Sequence, residues 1–154
     1  MTRVLFVCMA NICRSPMALA VARQKADAWG LAKVFDFDSA GTHARRGGER
    51  PDPRVAAALA NSPYTLGKTR SRQAIAPDFE RFNLIVAMDQ GNLAALRVMC
   101  PPQHQDKLHL LLEFAPELGL HEVPDPYYGN LAGFERVLGL CEAGVQGLIK
   151  AHAF

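Results

Sequence analysis

The sequence predicts an α/β fold: a single domain with a doubly wound, four-stranded parallel sheet flanked by helices. Two observations lead to this prediction. Short apolar segments alternate along the chain with longer segments that carry helix start and stop signals, and most connections between them are short. The chain has 154 residues, 49% of them hydrophobic and 21% charged, and it shows no internal repeat or linker. We therefore expect one domain over residues 1–154.

Four segments are predicted to form the strands of this sheet. The first is an almost continuous apolar run, which is typical of a strand buried on both faces. The second alternates apolar and polar residues, which indicates that one face is more exposed. The predicted strands are residues 3–8, 34–39, 84–87 and 108–112.

Helix start signals follow the first two strands. Ser15 and Pro16 begin a helix that is predicted to run to Trp29, because a serine hydroxyl can cap free N–H groups and proline suits the first helical position. Asp52 and Pro53 begin another helix in the same way.

Two further helices are predicted in the second half of the chain. Asp89 is expected to cap a helix that runs to about residue 99, and a long loop is expected at residues 115–129. After this loop, apolar residues recur every three or four positions, which predicts a terminal helix with one buried face. These residues are Leu131, Phe134, Leu138, Cys141, Val145 and Leu148.

The charge balance limits the kind of partner. Seventeen Lys and Arg against fifteen Asp and Glu give a net charge of +2, far from the basic excess of proteins that coat nucleic acids. The apolar stretch at the amino terminus is interrupted at Asn11 and Arg14, so it is too short for a signal peptide or a membrane span. We expect a cytoplasmic protein that binds neither nucleic acid nor membrane, with any anion site confined to one place.

The cysteines and histidines do not predict a metal site. The four cysteines include no Cys-x-x-Cys pair, and the spacing from Cys8 to Cys13 matches no common zinc site. The five histidines also lack ligand spacing. We therefore expect no metal and no other cofactor. Cys141 falls on the apolar face of the terminal helix and Cys100 just before two prolines, and we interpret both as structural thiols.

The segment between the first strand and the first helix, residues 8–16, is predicted to be a phosphate-binding loop. Its backbone N–H groups lie at a helix amino terminus, where they can surround an anion. The same positive potential, together with Arg14, favours a nucleophilic thiolate at Cys8. Arg14 presents a planar fork that fits two oxygens of a tetrahedral oxyanion. Besides capping the helix, the Ser15 hydroxyl can donate to the Cys8 sulfur.

The same loop carries a family resemblance. The segment VCMANICRSP, in which Cys8 and Arg14 form a Cys-x5-Arg signature, resembles the low-molecular-weight protein tyrosine phosphatases. Matching segments extend over essentially the whole chain and include residues 38–42, 51–54, 88–92 and 125–129. The resemblance implies flavodoxin-like strand order and hydrolysis of protein phosphotyrosine through a metal-independent phosphocysteine intermediate on Cys8. It also implies that Arg14 binds the phosphoryl oxygens and that Asp125, which lies between two prolines, is the general acid and base.

The resemblance implies roles for further residues. Asn11 would hold the loop in shape together with Ser15 and Ser39, and Tyr127 and Tyr128 would form an aromatic wall for a flat substrate ring. The implied substrate-binding residues are Met9, Ala10, Asn11, Ile12, Cys13, Ser15, Tyr127 and Tyr128. The implied partner is a phosphotyrosine-containing protein or a small aryl phosphate, with phosphate or a similar oxyanion as a competitive ligand.

Several positions depart from the family pattern. Ala10 stands where most relatives have glycine, and a positive φ there would cost about 1 kcal/mol. Thr69 replaces a histidine that usually supports the asparagine network. Residues 43–50 lack the usual large apolar side chain and carry three arginines, which favours either an acidic substrate or a solvated charged loop. Cys13 is either a packing residue or the partner of Cys8 in a reversible disulfide.

Two other functions remain open from the sequence. One is arsenate reduction on the same fold, which needs a resolving cysteine pair in a nearby helix, although residues 81–90 contain no cysteine. The other is a weakly active phosphate-binding module, which the alanine at position 10 leaves open. Among phosphatase substrates, phosphoarginine, or an ester other than phosphotyrosine, is also an alternative.

Overall fold

Apolar runs of the chain form the centre of a parallel sheet. In the computed structural model, which describes residues 1–153, the side chains of residues 4–7 are fully buried because helices cover both faces of their strand. The strands are β1 (Thr2–Cys8), β2 (Phe35–Gly41), β3 (Leu84–Ala87) and β4 (Leu108–Leu110). All neighbouring pairs are parallel, in the order β2-β1-β3-β4. The predicted doubly wound, flavodoxin-like sheet is therefore confirmed. Phe154, the last residue of the predicted domain, lies outside the described residues.

Helices pack against each face of the sheet. The α-helices are α1 (Arg14–Ala28), α2 (Pro53–Leu59), α3 (Asp78–Arg81), α4 (Gln90–Met99) and α5 (Leu131–Ala153). Short 3₁₀ helices span Pro102–Lys107, Leu111–Phe114 and Pro116–Leu118. The apolar residues of α1, α2 and α5 form one core with one face of β1, and those of α3 and α4 form a second core on the opposite face. None of the helices within residues 1–153 is both long and apolar enough to cross a membrane.

Two of the three predicted helix caps are confirmed. Asp52 Oδ1 accepts a hydrogen bond of 2.9 Å from the backbone of Arg54, and Asp89 Oδ1 accepts one of 2.7 Å from the backbone of Asn92. The predicted cap at Ser15 is wrong, because α1 already begins at Arg14 and has no side-chain cap. The Ser15 hydroxyl instead contacts groups in the preceding loop, as described below.

The remaining differences from the predicted elements occur at short or irregular segments. The strand expected over residues 108–112 ends at Leu110, where the chain turns into a 3₁₀ helix. The helix α3 was not predicted, because four residues are too few to show a periodic pattern. Cys100 and Cys141 are both buried in apolar cores, as the sequence indicated.

Glycines in α5 allow this helix to lie directly against the 3₁₀ helix at residues 111–114. A Cβ atom at Gly144 would lie 2.6 Å from Leu111 Cγ, and one at Gly147 would overlap the carbonyl oxygen of Phe114. A Cβ atom at Gly139 would meet open space. Glycine weakens a helix by roughly 1 kcal/mol relative to alanine, but at positions 144 and 147 it removes a steric conflict.

We predict opposite effects of alanine at two glycines of this helix. Gly147→Ala should lower the free energy of unfolding by about 1–3 kcal/mol, because the added methyl group forces backbone apart in a packed interface. Gly139→Ala, the matched control, should raise it by up to about 1 kcal/mol through helix propensity alone. Urea unfolding followed by circular dichroism measures both, and equal effects would contradict the proposed packing constraint.

Candidate active site

The candidate site lies at the carboxyl end of β1, between its two neighbours in the sheet. This is the point in a doubly wound sheet where ligands usually bind, because the chain leaves adjacent strands in opposite directions. A cavity of about 180 Å³ opens here. It is lined by Cys8, Met9, Ala10, Ile12, Cys13, Arg14, Asp125, Tyr127 and Tyr128. The structure thus brings together residues from two segments more than a hundred positions apart in the sequence.

The backbone of the loop after β1 turns its carbonyl groups away from the cavity. The carbonyl oxygens of Cys8, Met9 and Ile12 accept hydrogen bonds of 2.8–2.9 Å from backbone N–H groups within residues 42–52. The N–H groups of residues 10–14 donate to no acceptor in the part of the chain that the structure describes. A curved run of such N–H groups at a helix amino terminus is a site for an anion.

Asn11 holds this loop from behind. Its side chain is only 1% exposed, and its Nδ2 donates to Ser15 Oγ at 2.7 Å and to Ser39 Oγ at 3.0 Å. Its Oδ1 accepts a hydrogen bond of 2.9 Å from the backbone N–H of Arg72. Asn11, Ser15 and Ser39 therefore support the loop from outside the cavity, and Arg72 is a partner that the sequence did not indicate.

The strained backbone position of the loop is Asn11 and not Ala10. Asn11 has φ +60°, and it is the sole non-glycine residue with positive φ within residues 1–153. Asparagine tolerates this conformation better than most residues, because its side chain can form local hydrogen bonds. Ala10 does not have a positive φ, so the conformational free-energy cost expected for alanine at this position does not arise. The alanine therefore gives no structural reason to expect a distorted loop.

The histidine that Thr69 replaces is not needed to complete the asparagine network. The Thr69 hydroxyl donates to the carbonyl of Leu66 at 2.6 Å, and the backbone of Arg72 supplies the contact to Asn11. The Arg72 guanidinium is itself held by Asp38 at 3.1 Å and by Asp78 at 3.0 Å. Burial opposes the charge on Arg72, but these two carboxylates outweigh it and raise the pKa of the guanidinium.

Gly41, at the end of β2, allows the loop to approach the sheet. A Cβ atom at this position would lie 2.6 Å from the carbonyl oxygen of Met9 and 2.8 Å from the Cβ atom of Ala44. Both contacts are shorter than packed atoms allow. The close contact between β2 and the loop therefore requires glycine here.

Cys8 lies at the bottom of the cavity and contacts one hydroxyl group. Its Sγ is 3.0 Å from Ser15 Oγ, and both side chains are buried. Ser15 Oγ accepts a hydrogen bond from Asn11, so its own proton can be donated either to the sulfur at 3.0 Å or to the carbonyl oxygen of Ala40 at 3.4 Å. A hydrogen bond from a hydroxyl group stabilises a thiolate relative to a thiol.

Cys13 lines the same cavity in a different electrostatic environment. Burial, and next the carboxylate of Asp52, raises the pKa of the Cys13 thiol to about 12. Burial also raises the pKa of Cys141 to about 12. Both groups are therefore protonated at neutral pH and are poor nucleophiles. All four cysteines are free thiols, so the disulfide between Cys8 and Cys13 stays a prediction.

Arg14 is buried and has a fixed orientation. Only 3% of its side chain is exposed, and its Nη1 donates to Asp89 Oδ2 at 2.6 Å and to the carbonyl of Val123 at 2.9 Å. Its Nη2 lies 3.8 Å from Asp125 Oδ2. Asp89 therefore both caps α4 and orients Arg14, whereas the sequence indicated only the cap. The signal for the second role was its position directly after β3, at the same edge of the sheet.

The loop that carries Asp125 is attached to the start of α2 through Arg54. The Arg54 guanidinium pairs with Asp52 at 2.8 Å, and its central carbon lies 5.4 Å from the centre of the Tyr127 ring and 4.5 Å from that of Phe134. Asp125 Oδ1 accepts a hydrogen bond of 3.0 Å from the backbone of Tyr127. The sequence did not indicate this role of Arg54.

The two tyrosines stand at the mouth of the cavity. Their rings meet edge to face with centroids 5.0 Å apart. Tyr127 is 43% exposed and Tyr128 is 92% exposed. Most of the Tyr128 ring is therefore available to a ligand, as an aromatic wall requires.

We predict that Asn11 contributes to stability in two separable ways. Asn11→Gly should lower the free energy of unfolding by about 2–3 kcal/mol, because three hydrogen bonds, two of them buried, are lost. Asn11→Ala should lower it by about 1 kcal/mol more, because alanine is strained at positive φ. Urea unfolding measures both values. Equal stability of the two variants would show that the positive φ is not a constraint.

Comparison with protein families and curated proteins gives consistent relatives. Residues 3–153 match the family described as low molecular weight phosphotyrosine protein phosphatase. The low molecular weight protein-tyrosine-phosphatase of Streptomyces coelicolor is 45% identical over 152 residues, which cover 97% of this chain and 92% of the relative.

Comparison with solved structures agrees with these matches. A protein tyrosine phosphatase from Entamoeba histolytica superimposes with a TM-score of 0.93 at 36% identity, covering 97% of this chain and 96% of that one. YfkJ from Bacillus subtilis superimposes with a TM-score of 0.92 at 35% identity, covering 98% and 94% of the two chains. The chain therefore belongs to the low molecular weight protein-tyrosine-phosphatases, a family of enzymes.

Proposed function

We propose that this enzyme hydrolyses phosphotyrosine in proteins, as well as small aryl phosphates, through a phosphocysteine intermediate on Cys8. The observation that carries the proposal is the convergence of Cys8, Arg14 and Asp125 on one cavity beneath a run of unpartnered backbone N–H groups. A thiolate, a guanidinium and a carboxyl group around an anion site are sufficient for phosphoryl transfer to sulfur.

In the first step, the phosphate binds to the N–H groups of the loop and to Arg14. The Cys8 thiolate then attacks phosphorus, a sulfur–phosphorus bond forms, and the bond to the phenolic oxygen breaks. Arg14 stabilises the charge on the equatorial oxygens, and its own position is fixed by Asp89.

Asp125 is the group best placed to protonate the leaving phenolate. It lines the cavity 3.8 Å from Arg14, while Tyr127 and Tyr128 provide a surface for the aromatic ring. Asp125 Oδ1 accepts a hydrogen bond from the backbone N–H of Tyr127, and this bond keeps the carboxyl group oriented. Proton donation by such a group typically contributes about 10²–10⁴-fold to the rate.

The second step releases phosphate and restores the enzyme. Asp125, now ionised, takes a proton from a water molecule that attacks phosphorus. The sulfur–phosphorus bond breaks, and Cys8 leaves as a thiolate that the Ser15 hydroxyl stabilises. Inorganic phosphate is the product, and we expect it to be a competitive ligand.

A related structure supports the binding of a tetrahedral oxyanion at this site. The related Entamoeba histolytica structure contains Hepes in its active site, and Hepes carries a sulfonate, which is a tetrahedral oxyanion. Cys8 has to be reduced to act as the proposed nucleophile, which suits a reducing compartment, and we infer a cytoplasmic location. Arsenate reduction has less support, because residues 81–90 contain no resolving cysteine pair, Cys100 belongs to the core on the opposite face of the sheet from Cys8, and Cys141 is fully buried.

The decisive experiment removes the nucleophile. Cys8→Ser should lower hydrolysis of p-nitrophenyl phosphate near pH 6, in the presence of EDTA, by at least about 10³-fold, because a neutral hydroxyl group is a far weaker nucleophile than a thiolate. Cys100→Ser, the matched control, should retain activity. If Cys8→Ser were folded by circular dichroism and fully active, the assignment of Cys8 would be wrong.

A second experiment tests Asp125 through the leaving group. Asp125→Asn should slow hydrolysis of phenyl phosphate by about 10²–10⁴-fold, but slow hydrolysis of substrates with acidic phenols much less, because these leave without a proton. The measurement is kcat/KM across a series of aryl phosphates of differing phenol acidity, because kcat/KM reports the steps up to formation of the phosphocysteine and excludes the role of Asp125 in its hydrolysis. The same loss for every leaving group would contradict the general-acid role. Asp106→Asn, a change of the same kind at an exposed residue, controls for altered charge.

A further inference from the structure

We propose a second binding site beside the active site, which recognises acidic side chains of the phosphorylated protein substrate. It rests on the function proposed above and adds a substrate class to it. The site, here named the basic cleft, is a cavity of about 410 Å³. It is lined by Arg50, Pro51, Leu66, Gly67, Lys68, Thr69 and Arg70.

The three cations of the basic cleft lack protein partners. Within residues 1–153, Arg50, Lys68 and Arg70 form no ion pair. All three side chains are exposed, so a ligand can contact them. Three cations that share one cavity without a counter-charge attract an anion from outside the chain.

The charge of the chain is concentrated in this region. Residues 43–50 and 66–70 hold five of the seventeen Lys and Arg but only one of the fifteen Asp and Glu. The remainder of the chain therefore has twelve basic and fourteen acidic residues, a net charge of −2. A long polyanion such as a nucleic acid would meet repulsion beyond the cleft, whereas a short acidic peptide segment would not.

Hydrogen bonds hold the walls of the basic cleft in place. The backbone of Gly48 donates to the Ser71 carbonyl at 2.7 Å, and Ser71 donates to the Glu49 carbonyl at 2.9 Å. On the other wall, the hydroxyl of Thr69 donates to the carbonyl of Leu66 at 2.6 Å. The cleft is thus largely formed before a ligand arrives, which reduces the entropy lost on binding.

The basic cleft is connected to the phosphate-binding loop through the backbone of residues 51–52. Pro51 lines the cleft, and the backbone N–H of the next residue, Asp52, donates at 2.8 Å to the carbonyl of Ile12, which lines the catalytic cavity. An extended peptide advances about 3.3–3.6 Å per residue. Carboxylates at successive positions before or after the phosphotyrosine therefore lie at increasing distances from the catalytic cavity. One that enters the cleft meets the forked guanidinium groups of Arg50 and Arg70, which fit its two oxygens.

The test compares three phosphotyrosine peptides of equal length. One carries Asp and Glu before the phosphotyrosine, one carries them after it, and one has Ser and Gln in their place. We expect kcat/KM for at least one acidic peptide to exceed that for the uncharged peptide by about fivefold or more at low ionic strength, and the difference to shrink with added salt.

Two triple variants locate the effect. Arg50→Gln, Lys68→Gln and Arg70→Gln together should abolish the preference while leaving hydrolysis of p-nitrophenyl phosphate within about twofold of the wild type, since no catalytic group changes. Lys33→Gln, Arg81→Gln and Arg97→Gln change three exposed cations outside the basic cleft and alter net charge equally. This control should keep the preference.

The outcomes distinguish the role of the basic cleft in substrate preference from the hydrolysis reaction itself. Equal kcat/KM for acidic and uncharged peptides, or a preference that survives in the first triple variant, would overturn the proposal. If both triple variants lost the preference equally, net charge would be its cause, and the proposed binding site would also be wrong. Failure of the proposed function would show itself differently, as absence of p-nitrophenyl phosphate hydrolysis in the wild type.

Discussion

The conformation of Asn11 is the constraint on which the site depends. At φ +60° this residue reverses the direction of the backbone directly after β1, so that successive N–H groups can face the cavity. Its side chain bonds to α1, to β2 and to the segment at Arg72. One buried amide thus ties the loop to three separate parts of the fold. The anion site is therefore set by the packed scaffold and is not left to the loop alone.

The two charged groups of the site are held by different means. Arg14 is buried, and its charge is balanced by Asp89, so that its orientation is fixed before a substrate binds. Asp125 is on a more exposed loop and lies 3.8 Å from Arg14. A guanidinium held in a protein interior stabilises a developing negative charge more strongly than one that must first reorganise in water. Asp125, the proposed acid, would by contrast have to reach leaving groups of different shapes.

The sequence was sufficient to predict the sheet and the long helices. The site residues it indicated include every side chain that lines the cavity, together with Asn11 and Ser15, whose side chains lie outside it. These features depend on apolar runs and on motifs that are contiguous in the chain. It was not sufficient for contacts made across the fold, such as those of Arg72 with Asn11 and of Asp89 with Arg14, because their partners are separated by 61 and 75 positions. The cap assigned to Ser15 was wrong for a related reason: its hydroxyl is used by Cys8 and Asn11.

Arg54 shows how the position of Asp125 is coupled to the core. Its guanidinium lies against two aromatic rings, one in the Asp125 loop and one, Phe134, that is fully buried at the start of α5. It also bonds to the helix cap Asp52, whose backbone is attached to the phosphate-binding loop at Ile12. The loop with the proposed acid and the loop with the proposed nucleophile are therefore fastened to the same short segment, residues 52–54. If the loop that carries Asp125 moves, the cation–π contact between Arg54 and Tyr127 and the hydrogen bond from Arg54 to the carbonyl of Gly129 must break. These contacts therefore favour the arrangement in which both loops face one cavity.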